Sequence, residues 1–334
     1  MMFKRLGVIG CGLIGCSFAM AARKAGIVER IVGYSKSPTT TENAKAAGIL
    51  DETAPSALQA VSGSDLVFIA VPVGAMPKIF QDIVSLITPE MLIMDAGSTK
   101  QDVILAAQEI FRKKIVNFVP AHPVAGKATA GFRASEADLF SGHKVVLTPL
   151  EITPQAQLDN AIKVWEAIGS KVHLMSAKEH DAAFAAISHM PHLLAFAYMK
   201  DLITQIDGER NMTLAGTGFR DFTRIASGEP HMWRDIFIAN KEEMLFQIAT
   251  FKRVLIDFER AIDAENEKAL LNLIHSASAA RTGWSLGERP VVVASADQGD
   301  DDGADMADEA DSSEDKPGIF RRIRNAWSSK PTKE

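Results

Sequence analysis

His122 is the side chain in this sequence best suited to proton transfer. It begins the run His122-Pro-Val-Ala-Gly126, and its imidazole can accept a proton because histidine titrates near neutral pH. A second polar run, Asp95-Ala-Gly-Ser98-Thr-Lys100, carries the hydroxyl of Ser98. The simpler interpretations are a hydrogen-bonded loop histidine and an ordinary Gly-Ser turn. Taken alone, neither residue identifies a reaction.

Arg220 and Arg224 have the spacing to bind an anion together. They lie one helical turn apart, and two guanidinium groups at that spacing can clamp a carboxylate. The alternative is that the two arginines form ion pairs with Asp221 or Glu229. Both interpretations stay open on residue types alone.

His189 and His192 are three residues apart, a spacing that also occurs in metal sites. No third ligand is evident in the sequence, and Pro191 would interrupt a helix carrying both rings. We therefore expect no metal site here.

A glycine-rich turn near the N-terminus predicts dinucleotide binding. A short apolar strand, residues 6–9, leads directly into Gly10-Cys-Gly12-Leu13-Ile14-Gly15, and a helical pattern follows. Gly10 permits the tight turn, Gly12 lets the backbone approach a pyrophosphate, and Gly15 allows close packing of helix on strand. Leu13 and Ile14 open the helix whose N–H groups face the anion.

The end of the second predicted strand, residues 31–34, bears on which dinucleotide is bound. An acidic residue about 20 positions beyond the glycine motif holds the ribose 2′-hydroxyl of NAD in this type of site. Here Tyr34-Ser35-Lys36-Ser37 supplies hydroxyls and an ammonium, which favour a 2′-phosphate. We expect NADP in preference to NAD. The alternative is that these residues form an ordinary surface turn with a solvated lysine, which would have the same sequence.

The first half of the chain alternates apolar strands with helices, which predicts an α/β fold with a Rossmann-type doubly wound parallel sheet. Ligands of such sheets bind beyond the carboxyl ends of the strands. Three segments meet that description and would surround one crevice: Val71-Pro72, Ala96-Gly97-Ser98 and Ala121-His122-Pro123.

Beyond Lys178 the apolar residues take helical spacing up to Gly287, so we expect an all-helical second domain that completes its burial against a second subunit as a homodimer. We therefore divide the chain into a dinucleotide-binding domain (residues 1–178), a helical substrate and dimerisation domain (179–287) and a disordered acidic tail (288–334). The basic amphipathic stretch 319–327 could touch a membrane surface, but we expect instead a floppy tail whose basic end meets its own acidic run, and no membrane partner.

Composition limits the classes of partner. The 334 residues carry a net charge of −6, which argues against a nucleic-acid surface. The only cysteines, Cys11 and Cys16, lie inside the glycine motif, as expected for a protein of a reducing compartment. Residues 4–22 imitate a secretory signal, but three glycines interrupt the apolar run, so we expect a cytoplasmic protein.

Taken together and in this order, the motifs resemble the prephenate/arogenate (cyclohexadienyl) dehydrogenase family over residues 5 to about 285. The most specific of them is the string Gly-Phe-Arg220-Asp221-Phe-Thr-Arg224-Ile-Ala, followed by Met-Trp233-Arg-Asp235. The resemblance implies an oxidative decarboxylase of tyrosine biosynthesis that passes hydride from prephenate or arogenate to NAD(P).

The resemblance also implies roles for particular residues. His122 would be the catalytic histidine, and Ser98 would orient the substrate hydroxyl or the nicotinamide. Arg224 would bind a substrate carboxylate, and His192 would line the ring pocket. The remaining residues would shape or gate the entrance: Arg220, Asp221 and Trp233.

Lys127-Ala128 stands where many family members have Thr-Glu, so the choice between prephenate and arogenate stays open. Two other functions remain as alternatives. One is a related two-domain NADP-dependent hydroxyacid dehydrogenase or imine reductase, because fold alone does not fix function. The other is a nucleotide-sensing regulator without chemistry, although such a protein would need neither His122 nor Arg224.

Overall fold

The computed structural model describes residues 2–127, 129 and 131–285. By internal packing, the described residues divide into two units, one up to residue 248 and the other from residue 249 onwards. The division predicted at residue 178 lies within the first unit and stays a prediction. The acidic and basic segments of the tail lie outside the described residues.

Six strands form one parallel sheet in the first unit. In spatial order β3-β2-β1-β4-β5-β6, they form the doubly wound sheet that the sequence predicts. The strands are β1 (Phe3–Ile9), β2 (Val28–Tyr34), β3 (Glu52–Thr53), β4 (Leu66–Ile69), β5 (Leu92–Asp95) and β6 (Phe118–Val119).

Three further strands leave this sheet and form a smaller one, β7-β8-β9. They are β7 (Ala121–Pro123), β8 (Lys144–Leu147) and β9 (Lys171–Leu174). β7 pairs antiparallel with β8, and His122 lies opposite Val146. The expected alternation of parallel strands therefore stops after β6, and His122 belongs to the smaller sheet.

Helices cover both faces of the parallel sheet and continue to the end of the described chain. Those of the α/β part are α1 (Leu13–Lys24), α2 (Pro38–Ala46), α3 (Ala57–Val61), α4 (Met76–Ile83), α5 (Gln101–Phe111) and α6 (Gln155–Ala167). The later ones are α7 (Ala177–Phe184), α8 (Met190–Thr204), α9 (Gly208–Thr213), α10 (Thr217–Thr223), α11 (Pro230–Ala239), α12 (Lys241–Asp263) and α13 (Glu267–Ser285).

The strand sequences explain the layered core. All four residues of β4 and all four of β5 are buried, as expected for parallel strands covered on both faces. On one face, Phe18 stacks on Phe68 with ring centroids 3.9 Å apart, and Trp165 packs edge-on against Phe68. On the other face, the core includes Trp233 and Ile236 of α11, so α11 packs directly on the parallel sheet.

The second unit comprises the remainder of α12 and all of α13. Glu265, in the turn between these helices, has a φ of 48°, a conformation that costs energy for a residue with a side chain. Several large apolar side chains of this unit are exposed: Leu255, Ile262, Leu271, Ile274 and Trp284. The predicted absence of strands beyond Lys178 is confirmed as far as residue 285.

The helical stretch Ala177–Thr204 is long and apolar enough to cross a membrane by length and composition alone. A helix in the core of a soluble protein passes the same test. This stretch contains His180, Asp181 and His189, which are buried and hydrogen-bonded within the protein. Such contacts are those of a helix packed on protein rather than on lipid.

Candidate active site

The glycine turn has the geometry of a dinucleotide cradle. Gly10 has a φ of 96°, and a Cβ there would lie 2.2 Å from the carbonyl oxygen of Ala70. A Cβ on Gly15 would lie 2.0 Å from the carbonyl oxygen of Gly10, so helix and strand approach too closely for any side chain. A Cβ on Gly12 would meet nothing within 4 Å, which leaves its backbone open to a ligand. The turn therefore fits a pyrophosphate at the start of α1.

Ser35 and Lys36 follow the last residue of β2, beside this turn. The backbone carbonyl of Tyr34 accepts a hydrogen bond from the Gly10 N–H, at 2.8 Å, which ties the end of β2 to the glycine turn. Lys36 is exposed and forms no ion pair with any residue that the structure describes. Cys11, inside the turn, and Cys16, in the first turns of α1, are free and buried.

The other two loops at this edge of the sheet lie where the sequence predicts. Val71 and Pro72 follow β4 and lead into a short 3-10 turn, Val73–Ala75. α11 packs against this turn so closely that a Cβ on Gly74 would lie 2.7 Å from an Asp235 carboxylate oxygen. Ser98 follows β5 and is partly buried. The turn after Val71 and Pro72 therefore lies against α11, and Ser98 follows the neighbouring parallel strand at the same edge of the sheet.

A buried ion pair joins the two sheets. The Lys100 ammonium donates to Asp95 Oδ2 at 2.5 Å and to the Ala121 carbonyl at 2.7 Å, and both charged side chains are fully buried. The other Asp95 oxygen accepts the Ala121 N–H at 2.9 Å. Since Ala121 precedes His122, this pair fixes the backbone of the candidate catalytic residue against the end of β5.

His122 begins a row of three hydrogen-bonded side chains, here named the His-His-Asp row: His122, His180 and Asp181. Nδ1 of His122 lies 2.8 Å from Nε2 of His180, and Nδ1 of His180 lies 2.8 Å from Oδ1 of Asp181. Burial lowers the pKa of His122 well below its ordinary value, and the charges of His180 and Lys100 act in the same direction. His122 is therefore a neutral imidazole at physiological pH.

His189 lies behind this row, in a π-helical turn (Ala185–His189) between α7 and α8. Asn240 Nδ2 lies 3.3 Å from His189 Nδ1 and donates to the Asp181 backbone carbonyl at 2.9 Å. Burial, followed by the charge of His180, lowers the pKa of His189 to about 4. Its Nε2 atom is buried and makes no well-aligned hydrogen bond among the described residues.

His192 and Trp233 form the next part of the site. Their rings stack with centroids 3.7 Å apart, and His192 Nδ1 donates to the Ser188 carbonyl at 2.8 Å. The expectation that Pro191 interrupts the helix is wrong. Pro191 lies in the first turn of α8, where the missing N–H costs little, and the π-helical turn supplies a continuous path from α7.

Arg220 and Arg224 line an open cleft of about 410 Å³ together with Phe219, Thr223 and Met212. Neither arginine forms an ion pair with a described residue. The Glu229 carboxylate, one of the suggested partners, instead accepts the His231 and Met232 N–H groups at the start of α11. Arg224 is near enough to His192 for its charge to lower the pKa of that ring, in addition to burial.

The structure thus places the predicted residues in two groups. Ser98, His122 and the glycine turn belong to the edge of the parallel sheet and its neighbour. His192, Trp233 and Arg224 lie along α8 to α11, and Trp233 and His189 connect the groups, with ring centroids 6.3 Å apart. Asp221 is exposed, and Trp233 is a buried wall with only 7% of its surface exposed. No described contact joins His122 directly to Arg224.

Sequence reasoning missed three polar residues of the site: His180, Asp181 and Asn240. All three are buried, at 0, 1 and 4% exposed. A signal for two of them was present, because Phe184 and Ala185 follow at helical spacing and place His180 and Asp181 on a buried face.

Two family descriptions match the chain. Residues 18–174 match "Prephenate dehydrogenase, nucleotide-binding domain", and residues 176–276 match "Prephenate dehydrogenase, dimerization domain". The chain belongs to the prephenate dehydrogenase family. The predicted family, fold class and oxidoreductase assignment are confirmed, and a dinucleotide of the NAD(P) type is its cofactor.

Relatives within the prephenate dehydrogenase family cover most of the chain. A cyclohexadienyl dehydrogenase of Zymomonas mobilis is 33% identical over 84% of this chain and 96% of its own. A prephenate dehydrogenase of Bacillus subtilis is 33% identical over 85% and 77%. The crystal structure of the A. aeolicus prephenate dehydrogenase, with hydroxyphenyl propionate and NAD+, superposes with a TM-score of 0.80 at 32% identity, over 85% of this chain and 99% of that one.

Proposed function

We propose that this protein oxidises and decarboxylates a cyclohexadienol of the prephenate or arogenate type in tyrosine biosynthesis, passing hydride to NAD(P). The observation that carries this proposal is the neutral, buried imidazole of His122, on the strand that the Lys100–Asp95 ion pair ties to the end of β5, directly before the loop that carries Ser98. A neutral imidazole at that place can accept the hydroxyl proton of a substrate held over the nicotinamide.

The proposed reaction assigns a task to each residue. The nicotinamide supplies the hydride acceptor. His122 hydrogen-bonds the ring hydroxyl of the substrate and takes its proton as the carbinol carbon is oxidised. Ser98 orients the hydroxyl from the end of β5. Loss of the ring carboxylate as CO₂ then gives the aromatic product, which makes the reaction effectively irreversible.

Arg224 is proposed to bind a substrate carboxylate, with Arg220 and Asp221 shaping the entrance. Arginine suits this task because its planar guanidinium forms two parallel hydrogen bonds to a carboxylate and stays charged. Support comes from the open cleft that both arginines line and from the freedom of both guanidinium groups from ion pairs with described residues. His192 and Trp233 are proposed to form the wall of the ring pocket.

Lys127 bears on the choice between prephenate and arogenate. Its ammonium lies 2.7 Å from Glu136 Oε2 and 3.1 Å from the Ala134 carbonyl, so a neighbouring carboxylate balances its charge. A balanced lysine does not repel the ammonium of arogenate. We therefore propose that both substrates are accepted.

We further propose NADP as the preferred cofactor, bound through Gly10, Gly12, Leu13, Ile14 and Gly15. Lys36 and Ser35 would meet the 2′-phosphate, since a hydroxyl and an ammonium that has no ion pair within the described part of the chain both favour it. The A. aeolicus structure contains NAD+, so the two cofactors have to be compared directly.

The match to a dimerization domain supports the expected homodimer. We propose that its interface covers exposed apolar side chains of the helical region, among them Ile187, Ile203, Leu214 and Phe222. We also propose a cytoplasmic location, which suits two free buried cysteines.

The test is formation of reduced nicotinamide by the purified protein, followed by absorbance, with prephenate and arogenate each combined with NAD or NADP. We expect turnover with both substrates and identification of 4-hydroxyphenylpyruvate and tyrosine as the products. Turnover of small hydroxyacids but of neither cyclohexadienol would favour the hydroxyacid dehydrogenase alternative. Cofactor binding without turnover of any substrate would favour a sensor.

A further inference from the structure

The His-His-Asp row runs inward from the candidate site into the protein. His122 keeps 9% of its surface exposed, whereas His180 and Asp181 are buried at 0 and 1%. Because each link is 2.8 Å long, the proton on each nitrogen is determined by the atom it faces. The protons can therefore be assigned from the buried end outwards.

Asp181 is held as a carboxylate. Its Oδ1 accepts the Lys100 backbone N–H at 2.8 Å, and its Oδ2 accepts the N–H and side-chain amide of Gln101 at 2.9 and 3.1 Å. Although burial acts to raise the pKa of Asp181, these bonds and the one from His180 bring it below its ordinary value. An ionised carboxylate can only accept, so Nδ1 of His180 must carry a proton and donate it.

His180 is neutral, because burial lowers its pKa and the Lys100 charge adds to that effect, against the Asp181 bond. A neutral imidazole protonated at Nδ1 has a lone pair at Nε2. That lone pair faces Nδ1 of His122, which must therefore donate. It follows that Nε2 of His122 is unprotonated, and no described residue hydrogen-bonds to it.

We propose that Asp181, acting through His180, is a positioning residue that fixes His122 in the tautomer with a free Nε2 and so makes that nitrogen the base. The inference rests on the proposed function. In the reaction, the substrate O–H bond breaks and its proton goes to Nε2, while the carbinol hydrogen leaves with its electron pair for the oxidised nicotinamide. The resulting imidazolium keeps its Nδ1 bond to His180, and the Asp181 carboxylate at the end of the row stabilises its charge.

Other charged groups surround the row and influence its titration. Asp95 faces it from the last position of β5, Lys100 from the loop after β5, and His189 from the π-helical turn. The Lys100 charge lowers the pKa of both histidines and the Asp95 charge raises that of His180, but Asp181 is the carboxylate that is hydrogen-bonded to the row.

Asp181→Asn tests the proposal in the full-length enzyme. The amide group can present its NH₂ to His180, which moves the His180 proton to Nε2, and Nε2 of His122 then carries a proton and is no longer a base. We expect kcat to fall at least roughly a hundredfold while KM stays within about threefold, as expected when the wrong histidine tautomer is present. The loss should be similar with both substrates.

His180 offers a matched pair of variants. A glutamine can accept from His122 with its carbonyl and donate to Asp181 with its amide, whereas a leucine of similar size can do neither. We expect His180→Gln to retain at least about ten times the kcat of His180→Leu. Asn117→Ala is the control for loss of a buried amide, because Asn117 bonds to the backbone of Thr88, Pro89 and Met91 at the opposite edge of the sheet. It should lose stability and keep kcat.

Nitrogen-15 NMR of histidine-labelled wild-type enzyme reads the tautomer directly and needs no substrate. We expect His122 to be protonated at Nδ1 and unprotonated at Nε2, with assignment from His122→Asn. A proton on Nε2 overturns the proposal, as does an Asp181→Asn enzyme that is folded and retains kcat within about threefold. Failure of the wild-type enzyme to turn over either cyclohexadienol would overturn the proposed function and leave the NMR result to decide the tautomer separately.

Discussion

The imidazole of His192 lies nearly flat on the indole of Trp233, with ring centroids 3.7 Å apart and 24° between the ring planes. The indole itself is fixed from the other side, since a Cβ on Gly228 would lie 2.3 Å from its Nε1 atom. The stack therefore holds His192 in place beside Arg224.

Replacement of Trp233 tests whether this stack matters for substrate binding. Trp233→Leu should raise KM by up to roughly tenfold, because an aromatic pair is worth about 0.5–1.5 kcal/mol beyond its buried area. Trp233→Phe keeps a ring under His192 and should stay within about threefold of wild type. Steady-state kinetics measures the change in substrate binding, and thermal unfolding measures any loss of folding stability. Equal KM values for both variants would contradict a positioning role.

His122→Asn removes the proposed base while keeping a polar side chain of similar size. We expect kcat to fall at least roughly a hundredfold, since general-base catalysis contributes on the order of 10²–10⁴. KM should change little because carboxylate binding is unaffected. His143→Asn, on an exposed loop histidine, is the matched control. Near-normal turnover by the first variant would exclude His122 from the mechanism.

Arg224→Gln should act mainly on KM. Loss of a charged contact to a bound carboxylate costs about 2–4 kcal/mol, which corresponds to roughly a thirtyfold to thousandfold weaker substrate interaction. Arg220→Gln should cost less if Arg220 only shapes the entrance. Lys113→Gln, an exposed charge after α5, serves as the control for the change in net charge. A drop in kcat with unchanged KM would indicate a different role for Arg224.

Lys36→Asp should reverse the cofactor preference. A carboxylate at this position repels a 2′-phosphate and can accept a hydrogen bond from a ribose hydroxyl, so kcat/KM for NADP should fall at least roughly tenfold relative to NAD. Lys45→Asp, an exposed lysine in the last turn of α2, should leave the ratio unchanged. A wild-type enzyme that already prefers NAD tenfold would show that Lys36 does not select the cofactor.

The lowered pKa of His189 predicts that the folded protein loses stability against unfolding in mild acid. This pKa of about 4 in the folded protein lies below the ordinary value of 6.5, so below pH 6.5 the unfolded chain binds a proton that the folded protein excludes. Exclusion of this proton by His189 therefore contributes about 3 kcal/mol to the free energy of unfolding. The contribution is fully present above pH 6.5 and is lost as the pH falls towards 4. Buried His122 and His180 act in the same direction.

Urea unfolding measures this pH dependence of the free energy of unfolding. The protein concentration is kept fixed, and the pH is varied between about 7.5 and 4.5, the range in which the linkage acts. His189→Gln should show a shallower decrease in the free energy of unfolding than wild type. Identical pH dependence in both proteins would show that His189 does not titrate as described.

The sequence is sufficient to predict the parallel sheet because each strand has a recognisable local sequence pattern. β4 and β5 are uninterrupted apolar runs, and the glycine turn follows β1 directly. The departure of β7 could not be predicted in this way. It has only three residues, and its antiparallel partner β8 lies more than twenty positions further along the chain, so tertiary pairing decides its sheet.

The burial of His180 and Asp181 also depends on tertiary structure. Ser176 and Glu179 form a capping box at the start of α7, which is typical of a solvated first turn. The spacing of Phe184 and Ala185 indicates a buried face on this helix, but it does not indicate what would compensate a carboxylate buried there. Only the contact of α7 with the N-terminal end of α5 supplies the Lys100 and Gln101 N–H groups that make Asp181 tolerable inside the protein. Lys100 is recognisable from its motif, but its complete burial is not.

The membership of His122 in the smaller sheet separates two properties that an engineer would want to change independently. The segment from β2 to β3 carries Ser35 and Lys36, which are proposed to meet the adenosine end of the cofactor, and none of its described residues bonds to the His-His-Asp row. We therefore expect that a graft of residues 28–53 from a relative of different cofactor preference changes that preference. The graft should leave the His-His-Asp row unaltered.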